Sequence, residues 1–313
     1  MVTVFPADPG GNGSRAVRDD ADDAGTGADP QGKVRRAAVL GSPIAHSLSP
    51  VLHSAAYAEL GIAREWSYER FECEEAGLAA FLDGCDESWA GLSLTMPLKR
   101  LALSLADEVE EPAAAVGGAN TMVFRGGRRH AYNTDVAGIV AALREAGVHA
   151  VRSAVILGAG ATAASALAAV RELGATEPGA VTALARYLGR TAELAEAAER
   201  MSAAIGFAPL SEIDTHLDVD LVVSTVPAGA ADAYAPAVAA SRAAVFDVVY
   251  AHWPTALARA VTAAGGTVVG GFPMLLHQAG AQVELMTGRA PAPVAAMRAA
   301  GEAELARREK EWE

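Results

Sequence analysis

Polar side chains that could bind or transform a small anion cluster in four loops, each beside the end of an expected strand or the start of an expected helix. Ligand sites of α/β proteins lie at such loops. In the first loop, Ser47 and Ser49 place two hydroxyls at a helix N-terminus, where hydrogen bonds and the helix dipole both favour a carboxylate. Taken alone, this loop has a simpler structural explanation, with Ser49 as N-cap before Pro50. The four clusters are Ser42–Pro50, Ser93–Lys99, Gly117–Thr121 and Asn133–Asp135.

The other three loops combine an amine, an amide and a carboxylate. In the second, Pro97 fixes the local backbone and would hold Thr95 and Lys99 toward the same side, although a lysine so placed is most often a solvated surface charge. Asn120 in the third could bind substrate hydroxyls or cap a turn, and the fourth could be a helix-capping Asx motif. Each cluster therefore has an ordinary structural explanation when it is considered singly.

A glycine-rich turn follows the apolar run Val155–Leu157 and precedes an Ala-rich helix. Gly158 would make the turn, Gly160 would let backbone N–H groups approach a pyrophosphate, and small Ala163 would allow close packing of helix on strand. The positive end of the helix would then face the pyrophosphate. Many such turns need glycine only for a positive φ, so the motif by itself leaves nucleotide binding open. The loop residues expected at a cofactor are Gly158, Ala159, Gly160, Ala161 and Thr162.

Composition restricts the class of protein and of partner. The chain has 313 residues, 51% of them hydrophobic, which suffices for the cores of roughly two domains. Its formal net charge of -13 argues against nucleic-acid and anionic-membrane partners, which need a basic surface. Cys73 and Cys85 lack metal-site spacing, and we find neither a signal segment nor a membrane-length apolar run. We therefore expect a cytoplasmic, metal-free protein that acts on a small molecule.

Strands and helices alternate along the chain, which is typical of α/β folds. An irregular first part, with a hairpin at Ala119–Phe124 and Arg129–Tyr132, is followed from Ser153 by a regular alternation. This alternation predicts a doubly wound parallel sheet of the Rossmann type. The last two expected helices, Met274–Met286 and Pro293–Lys310, have no strand between them, so we expect them to pack back on the first domain.

Together the polar loops and the glycine turn resemble the shikimate dehydrogenase family, in seven motifs that follow one order from Ala37 to about Gly288. The motifs are A-H-S-L-S-P, T-M-P-L-K, G-A-N-T, N-T-D-V-A-G, G-A-G-A-T-A, D-V-V-Y and G-F-P-M-L-L-H-Q. The resemblance implies NADPH-dependent reduction of 3-dehydroshikimate to shikimate in aromatic amino acid biosynthesis. It also implies a cleft between two domains. The expected division is a disordered tail at 1–36, a substrate-binding catalytic domain at 37–134, an NADP-binding Rossmann domain at 135–270, and helices at 271–313 that return to the substrate domain.

The resemblance also assigns roles to individual residues. Its catalytic pair matches Lys99 and Asp135, and its serine pair for the substrate carboxylate matches Ser47 and Ser49. These roles suit the chemistry, because an ammonium beside a ketone would stabilise the alkoxide formed on hydride transfer and supply its proton. Asp135 would orient Lys99 and bind an adjacent hydroxyl. The remaining matches are Thr95, Asn120 and Gln278 at the substrate, and Tyr250 and Gly271 at the nicotinamide end of the cofactor.

Residues after the second strand of the Rossmann part favour NADP over NAD. An NAD site usually has an acidic residue there for the ribose 2′-OH, whereas an NADP site needs a cation for the 2′-phosphate. The strand Val181–Leu184 runs into Ala185 and Arg186, Arg190 follows one helical turn later, and no carboxylate precedes Glu193. We therefore expect NADP, with Arg186 and Arg190 at its phosphate, although both arginines could instead only solvate a helix start.

The chain departs from the common family pattern mainly near the cofactor, and these departures leave alternatives. The runner-up is a dehydrogenase of quinate or of an amino-substituted analogue, which would share most ligands. From another class, a non-catalytic NADP or metabolite sensor is possible, although a sensor needs no lysine–aspartate pair. A monomer or homodimer is expected. The departures are Ser93 and Ser224 in place of asparagine, Ala185 and Tyr187 within an N-R-T motif, Ala164 in place of a basic residue, and Pro273 in place of glycine.

Overall fold

Two β-sheets with flanking helices form the structure, a computed structural model that describes residues 34–312. The first sheet is built from the part of the chain before Asp135. Its strands are β1 (Arg35–Gly41), β2 (Trp66–Glu72), β3 (Trp89–Leu94), β4 (Glu108–Val109), β5 (Thr121–Arg125) and β6 (Arg128–Tyr132). The helices between them are α1 (Ser49–Glu59), α2 (Glu75–Asp83), α3 (Leu101–Ser104) and α4 (Glu111–Val116).

This first sheet is mixed, in the order β2-β1-β3-β5-β6-β4. β1 pairs in parallel with β2 and β3, whereas β5 runs antiparallel to β3 and β6 antiparallel to β5. The register places Ser93 opposite Thr121, and Thr121 opposite Tyr132. The loops after β1, after β3, before β5 and after β6 therefore meet at one end of the sheet. These are the four loops in which the polar clusters of the sequence lie.

The second sheet follows α5 (Asp135–Glu145) and is parallel throughout, in the order β12-β11-β10-β7-β8-β9. Val155 and Ile156 point into apolar cores on opposite faces of this sheet, so both faces are covered. The predicted doubly wound sheet of the Rossmann type is confirmed. Its strands are β7 (Ala154–Leu157), β8 (Val181–Ala185), β9 (Gly206–Pro209), β10 (Leu221–Ser224), β11 (Ala244–Asp247) and β12 (Val268–Val269). Its helices are α6 (Ala161–Glu172), α7 (Ala192–Arg200), α8 (Ala235–Ser241) and α9 (Ala256–Ala263).

The last two helices, α10 (Gly271–Thr287) and α11 (Val294–Trp312), pack on the first part of the chain. α10 lies along α5 and against β3 and β5, and α11 lies on α1. A Cβ on Gly91 of β3 would lie only 2.9 Å from the Met286 side chain, so glycine permits this approach. The packing agrees with the expected return of these helices, while the domain boundaries stay a prediction. Within residues 34–312, no helix is both long and apolar enough to cross a bilayer.

The expected N-terminal tail ends earlier than residue 36. β1 begins at Arg35, so Arg35 and Arg36 belong to a strand, and the rest of the expected tail, residues 1–33, lies outside the described residues. Arg36 is held in place because its guanidinium lies 4.3 Å from the Trp89 ring centroid and 3.0 Å from a Glu69 carboxylate oxygen. Two consecutive charged residues before the apolar run concealed the start of the strand.

Several short elements were not expected from the sequence: β4, α3, α4, β9 and α8. Each has between two and seven residues. A segment of this length shows too little hydrophobic periodicity to be distinguished from a loop. Gly117, at a φ of 78°, ends α4 in the left-handed conformation and directs the chain toward β5.

The close approach of α5 to α10 at Gly138 gives a first test. A Cβ there would lie 2.9 Å from the Met274 carbonyl oxygen and 3.0 Å from Gln278 Cβ. We expect Gly138→Ala to lower the free energy of unfolding in urea by about 1–3 kcal/mol, because the two helices must move apart.

Gly77→Ala in α2 is the matched control. That position is exposed, and the nearest atom to an added Cβ is Cys73 Sγ at 3.6 Å. Alanine there should stabilise by about 0.5–1 kcal/mol, and equal effects of the two substitutions would contradict the close approach.

Candidate active site

Lys99 and Asp135 form an ion pair at the loop end of the first sheet. Lys99 lies in the turn after β3, and Asp135 is the first residue of α5. Lys99 Nζ donates to Asp135 Oδ2 at 2.6 Å, and the two side chains are only 16% and 6% exposed. A charged hydrogen bond so poorly solvated is stronger than a surface ion pair. The ammonium has three donors and this pair uses one, so it can also bind a ligand.

Asn120, directly before β5, connects Asp135 to its surroundings. Its Nδ2 donates to Asp135 Oδ1 at 2.8 Å and lies 3.2 Å from Gln278 Oε1, while its Oδ1 accepts from the Thr134 backbone N–H at 2.8 Å. Both carboxylate oxygens of Asp135 are therefore bonded, one to Lys99 and one to Asn120. The structure thus brings together four of the residues that the sequence predicted for the site.

The helix-capping role considered for Asn133–Asp135 falls to Asn133. Its Oδ1 accepts from the backbone N–H groups of Asp135 at 3.0 Å and Val136 at 3.3 Å, and its Nδ2 donates to the Gly118 carbonyl at 2.8 Å. Because Asn133 satisfies the backbone N–H groups at the start of α5, the carboxylate of Asp135 is left to bind Lys99 and Asn120. The helix dipole also favours negative charge at this position.

The loop with the two predicted carboxylate ligands follows β1. Ser49 is the first residue of α1 and not its N-cap, which is Leu48. The expectation was wrong because the first hydrogen bonds of α1 form one residue earlier: the Val51 and Leu52 backbone N–H groups donate to the Leu48 carbonyl, at 3.0 and 3.1 Å. Ser47 Oγ accepts the Ser49 backbone N–H, at 3.3 Å. Ser49 is 5% exposed and its side chain lies beside the Tyr68 hydroxyl, whereas Ser47 is half-buried. Ser47 is therefore the more accessible of the two hydroxyls.

Thr95 directly follows β3 and is half-buried. Its backbone N–H donates to the Leu40 carbonyl at 3.0 Å, which extends the pairing of β1 and β3 into the loop. A Cβ on Gly41 would lie 2.3 Å from the Thr95 side chain, so only glycine permits this approach. The loop that contains Thr95 and Lys99 is thereby fixed against the loop that contains the serines.

Sequence reasoning missed a layer of buried polar side chains beneath these loops. The Tyr68 hydroxyl donates to Ser93 Oγ at 2.6 Å, Ser93 Oγ donates to Gln282 Oε1 at 2.6 Å, and His53 stacks on Tyr68 with ring centroids 3.9 Å apart. Burial lowers the pKa of His53 to about 3 and raises the pKa of Tyr68, so both side chains are neutral at pH 7. One signal was available: Gln282 follows Gln278 by four residues and therefore lies on the same face of α10.

The glycine-rich turn has the geometry that its sequence predicts. Gly158 has a φ of 110°, and a Cβ there would lie 2.5 Å from Thr225 Oγ1. Gly160 is extended and precedes α6, and among residues 34–312 no atom beyond its chain neighbours lies within 4 Å of a Cβ built on it. Ala163 is fully buried in the apolar core that includes Ile156. The open space at the start of α6 therefore suits a pyrophosphate.

Arg186 directly follows β8, Arg190 lies four residues later, and both are exposed. In the described part of the chain neither forms a salt bridge, and the Arg190 guanidinium lies 5.8 Å from the Tyr187 ring centroid. β8 ends at Ala185, with no carboxylate for a ribose 2′-OH. Two cations without carboxylate partners fit the 2′-phosphate of NADP.

Tyr250 and Gly271 lie where β11 and α10 approach each other. A Cβ on Gly271 would lie 2.0 Å from the Val248 carbonyl oxygen, and the Gly271 N–H donates to the Val249 carbonyl at 3.1 Å. This contact holds the start of α10 against the segment that leads to Tyr250. Burial raises the pKa of the Tyr250 phenol, so the residue is a neutral, half-buried ring at pH 7.

The two parts of the site define a class of protein. The glycine turn and the two arginines fit NADP, and the Lys99–Asp135 pair fits proton transfer to a polar substrate. A Rossmann-type sheet joined to a second α/β unit with such a pair is a dinucleotide-dependent dehydrogenase.

Sequence comparison identifies the family within this class. Residues 39–122 match the family model of the shikimate dehydrogenase substrate binding domain, and residues 271–300 match that of the shikimate 5′-dehydrogenase C-terminal domain. The shikimate dehydrogenase (NADP(+)) of Halobacterium salinarum is 37% identical over 275 residues, which cover 85% of this chain and 98% of that protein. The chain belongs to the shikimate dehydrogenase family, as its motifs predicted.

Solved structures of this family have the same fold. Mycobacterium tuberculosis shikimate dehydrogenase is 43% identical with a TM-score of 0.78, over 86% of this chain and 99% of that chain. The shikimate 5-dehydrogenase of Thermus thermophilus in complex with NADP(H) and shikimate is 31% identical with a TM-score of 0.73, over 86% and 99% of the respective chains. The predicted two-domain α/β fold is confirmed, and the roles of individual site residues stay predictions.

The arginines after β8 give a second test. We expect Arg186→Ala to raise the KM for NADPH about tenfold or more, because a charged hydrogen bond to a phosphate is worth roughly 1.5–3 kcal/mol. The KM for NADH, which has no 2′-phosphate, should not change. Arg259→Ala is the control, since it removes an exposed charge from α9, a helix that packs on the second sheet. An unchanged KM for NADPH in steady-state kinetics would assign Arg186 to solvation of the helix start.

Proposed function

We propose that the protein catalyses the reversible NADPH-dependent reduction of 3-dehydroshikimate to shikimate in aromatic amino acid biosynthesis. It is an NADP-dependent oxidoreductase, like its curated relatives. The observation that carries the proposal is the hydrogen-bonded set of Lys99, Asp135, Asn120 and Gln278, in which the bonded atoms lie 2.6, 2.8 and 3.2 Å apart. This set offers donors and acceptors to neighbouring ring hydroxyls beside a single ammonium.

Lys99 supplies the acid chemistry in this proposal. NADPH, when bound, supplies a hydride to the substrate carbonyl carbon. The Lys99 ammonium stabilises the negative charge that develops on the carbonyl oxygen and then donates a proton to it. Asp135 keeps the ammonium in place through Oδ2 and accepts from an adjacent substrate hydroxyl. Because the Lys99 side chain is 16% exposed, water can return the proton afterwards.

The remaining polar residues orient the substrate and the cofactor. Ser47 and Ser49 bind the substrate carboxylate, and the Tyr68 hydroxyl lies beside the Ser49 side chain. Thr95, Asn120 and Gln278 bind hydroxyls of the ring. Backbone N–H groups of the turn bind the pyrophosphate. The cofactor residues in this assignment are Gly158, Ala159, Gly160, Ala161, Thr162, Arg186, Arg190, Tyr250 and Gly271.

We further propose a cytoplasmic location and a monomeric or homodimeric state. Cys73 and Cys85 are free thiols, as is usual in a reducing compartment. Burial raises the pKa of both, for Cys85 to about 11, so neither is a reactive thiolate. All residues assigned to the site come from one chain, so either oligomeric state is compatible with activity.

Turnover on a panel of substrates tests the proposed function. The loss of NADPH absorbance is followed with 3-dehydroshikimate and with 3-dehydroquinate, and each reaction is repeated with NADH. We expect fast turnover only with 3-dehydroshikimate and NADPH. A preference for 3-dehydroquinate would replace the substrate assignment, and NADPH binding without turnover on either compound would support a sensor.

The Lys99 assignment has its own test. We expect Lys99→Ala to lower kcat about 10²- to 10⁴-fold with a much smaller effect on KM, because the proton donor acts mainly in the transition state. Lys310→Ala, at an exposed position in the last turn of α11, is the control for loss of a lysine. Near-normal turnover of Lys99→Ala would remove Lys99 from the mechanism.

A further inference from the structure

Gln282 on α10 is the centre of a buried hydrogen-bond network. Its side chain is 1% exposed, and both ends of its amide are used. Oε1 accepts from Ser93 Oγ at 2.6 Å and from His53 Nε2 at 3.3 Å, while Nε2 donates to Thr121 Oγ1 at 2.9 Å and to the Asn120 carbonyl at 3.2 Å. The amide thus joins four groups that belong to three separate segments of the chain.

The Asn120 backbone carbonyl fixes the orientation of this amide, because a carbonyl can only accept and therefore faces the NH₂ group of Gln282. The amide oxygen then faces His53 and Ser93. His53 is fully buried, and burial lowers its pKa to about 3, so the imidazole is neutral. Its Nε2 faces the amide oxygen and so carries the ring proton, while its Nδ1 has no partner among the described residues.

From the oxygen end of the amide, the network continues to the carboxylate-binding loop. Ser93 Oγ donates to Gln282, so it accepts from the Tyr68 hydroxyl, at 2.6 Å. The Ser49 side chain lies beside the Tyr68 hydroxyl. Ser49 begins α1, whereas Ser93 lies in β3, so this branch joins the serine loop to the centre of the sheet.

From the nitrogen end, the network continues to the ion pair. Thr121 Oγ1 accepts from Gln282 and donates to Asn120 Oδ1 at 2.9 Å. Asn120 Nδ2 donates to Asp135 Oδ1 at 2.8 Å, and Asp135 Oδ2 accepts from Lys99. A series of hydrogen bonds therefore runs from Tyr68, beside Ser49, to Lys99, and Gln282 joins its two branches.

We propose that Gln282 is a positioning residue that sets the distance between the carboxylate-binding serines and the Lys99–Asp135 pair. The proposal rests on the proposed function, because it assumes a substrate whose carboxylate and reacting carbonyl are held at these two ends. Gln282 is itself too deeply buried to touch such a substrate. A misplacement of about 1 Å between substrate and catalytic groups can lower a rate roughly a hundredfold, so a rigid link between the two ends has a kinetic effect.

Replacement of the amide tests the proposal. Gln282→Met keeps an unbranched side chain of similar volume and removes all four hydrogen bonds. We expect kcat for shikimate oxidation to fall about tenfold or more at a temperature where the variant is folded, while the KM for NADP⁺ stays within about twofold of wild type, because the glycine turn is untouched. Val283→Ala is the matched control: Val283 is the next residue of α10 and packs only in an apolar cluster with Leu52 and Leu276. It should lower the melting temperature and leave kcat and both KM values unchanged.

A second variant tests one branch of the network. Tyr68→Phe deletes a single oxygen atom and keeps the ring stacked on His53. The variant removes the hydroxyl beside Ser49 and leaves the branch to Lys99 intact. The KM for shikimate should therefore rise several-fold, and kcat should fall by a smaller factor. Two results would overturn the proposal. One is a wild-type kcat in Gln282→Met. The other is an unchanged KM for shikimate in Tyr68→Phe, which can be measured even if Gln282→Met does not fold.

Wild type is measured in parallel. If the wild-type protein does not oxidise shikimate, it is the proposed function that fails, which distinguishes this result from a failure of the Gln282 proposal.

Discussion

A lysine and an aspartate that share a poorly solvated position constrain everything around them, because each buried donor and acceptor must be satisfied. Lys99 occupies one oxygen of Asp135, and Asn120 occupies the other. Asn133 caps α5, so the carboxylate is not drawn into that role. Three loops and two helices must therefore meet within hydrogen-bond distance, and the order of strands in the first sheet is what makes this meeting possible.

The same requirement explains where the chain needs glycine. Gly41 lets the loop of Thr95 reach the end of β1, Gly138 lets α10 reach α5, and Gly271 lets α10 start against the segment after β11. A side chain at any of these positions would separate elements that contribute to one site. The site of this shikimate dehydrogenase family member is thus assembled from distant segments by close backbone approaches. Its polar side chains are short, so they can meet only because the backbones lie close together.

Much of this arrangement was predictable from the sequence, because its signals are local. The regular alternation after Ser153, the glycine turn and the seven ordered motifs predicted the parallel sheet and the family. The assignment of Ser49 as N-cap was wrong by one residue, because the Leu48 carbonyl accepts the first hydrogen bonds of α1. Gln282 was missed for a different reason: a glutamine on a helix is normally solvated. Its spacing from Gln278 places it on the same helix face, but its burial follows from the packing of α10 against β3 and β5.

The central claim is that Lys99 and Asp135 act as one unit in proton transfer. A double-mutant cycle on kcat/KM for 3-dehydroshikimate, with Lys99→Met, Asp135→Asn and the double variant, measures this most directly. Residues that act as a unit are strongly non-additive, so the double variant should be little slower than the slower single variant. Losses of activation free energy that add to within about 0.5 kcal/mol would contradict the account, because the two side chains would then contribute to the rate independently.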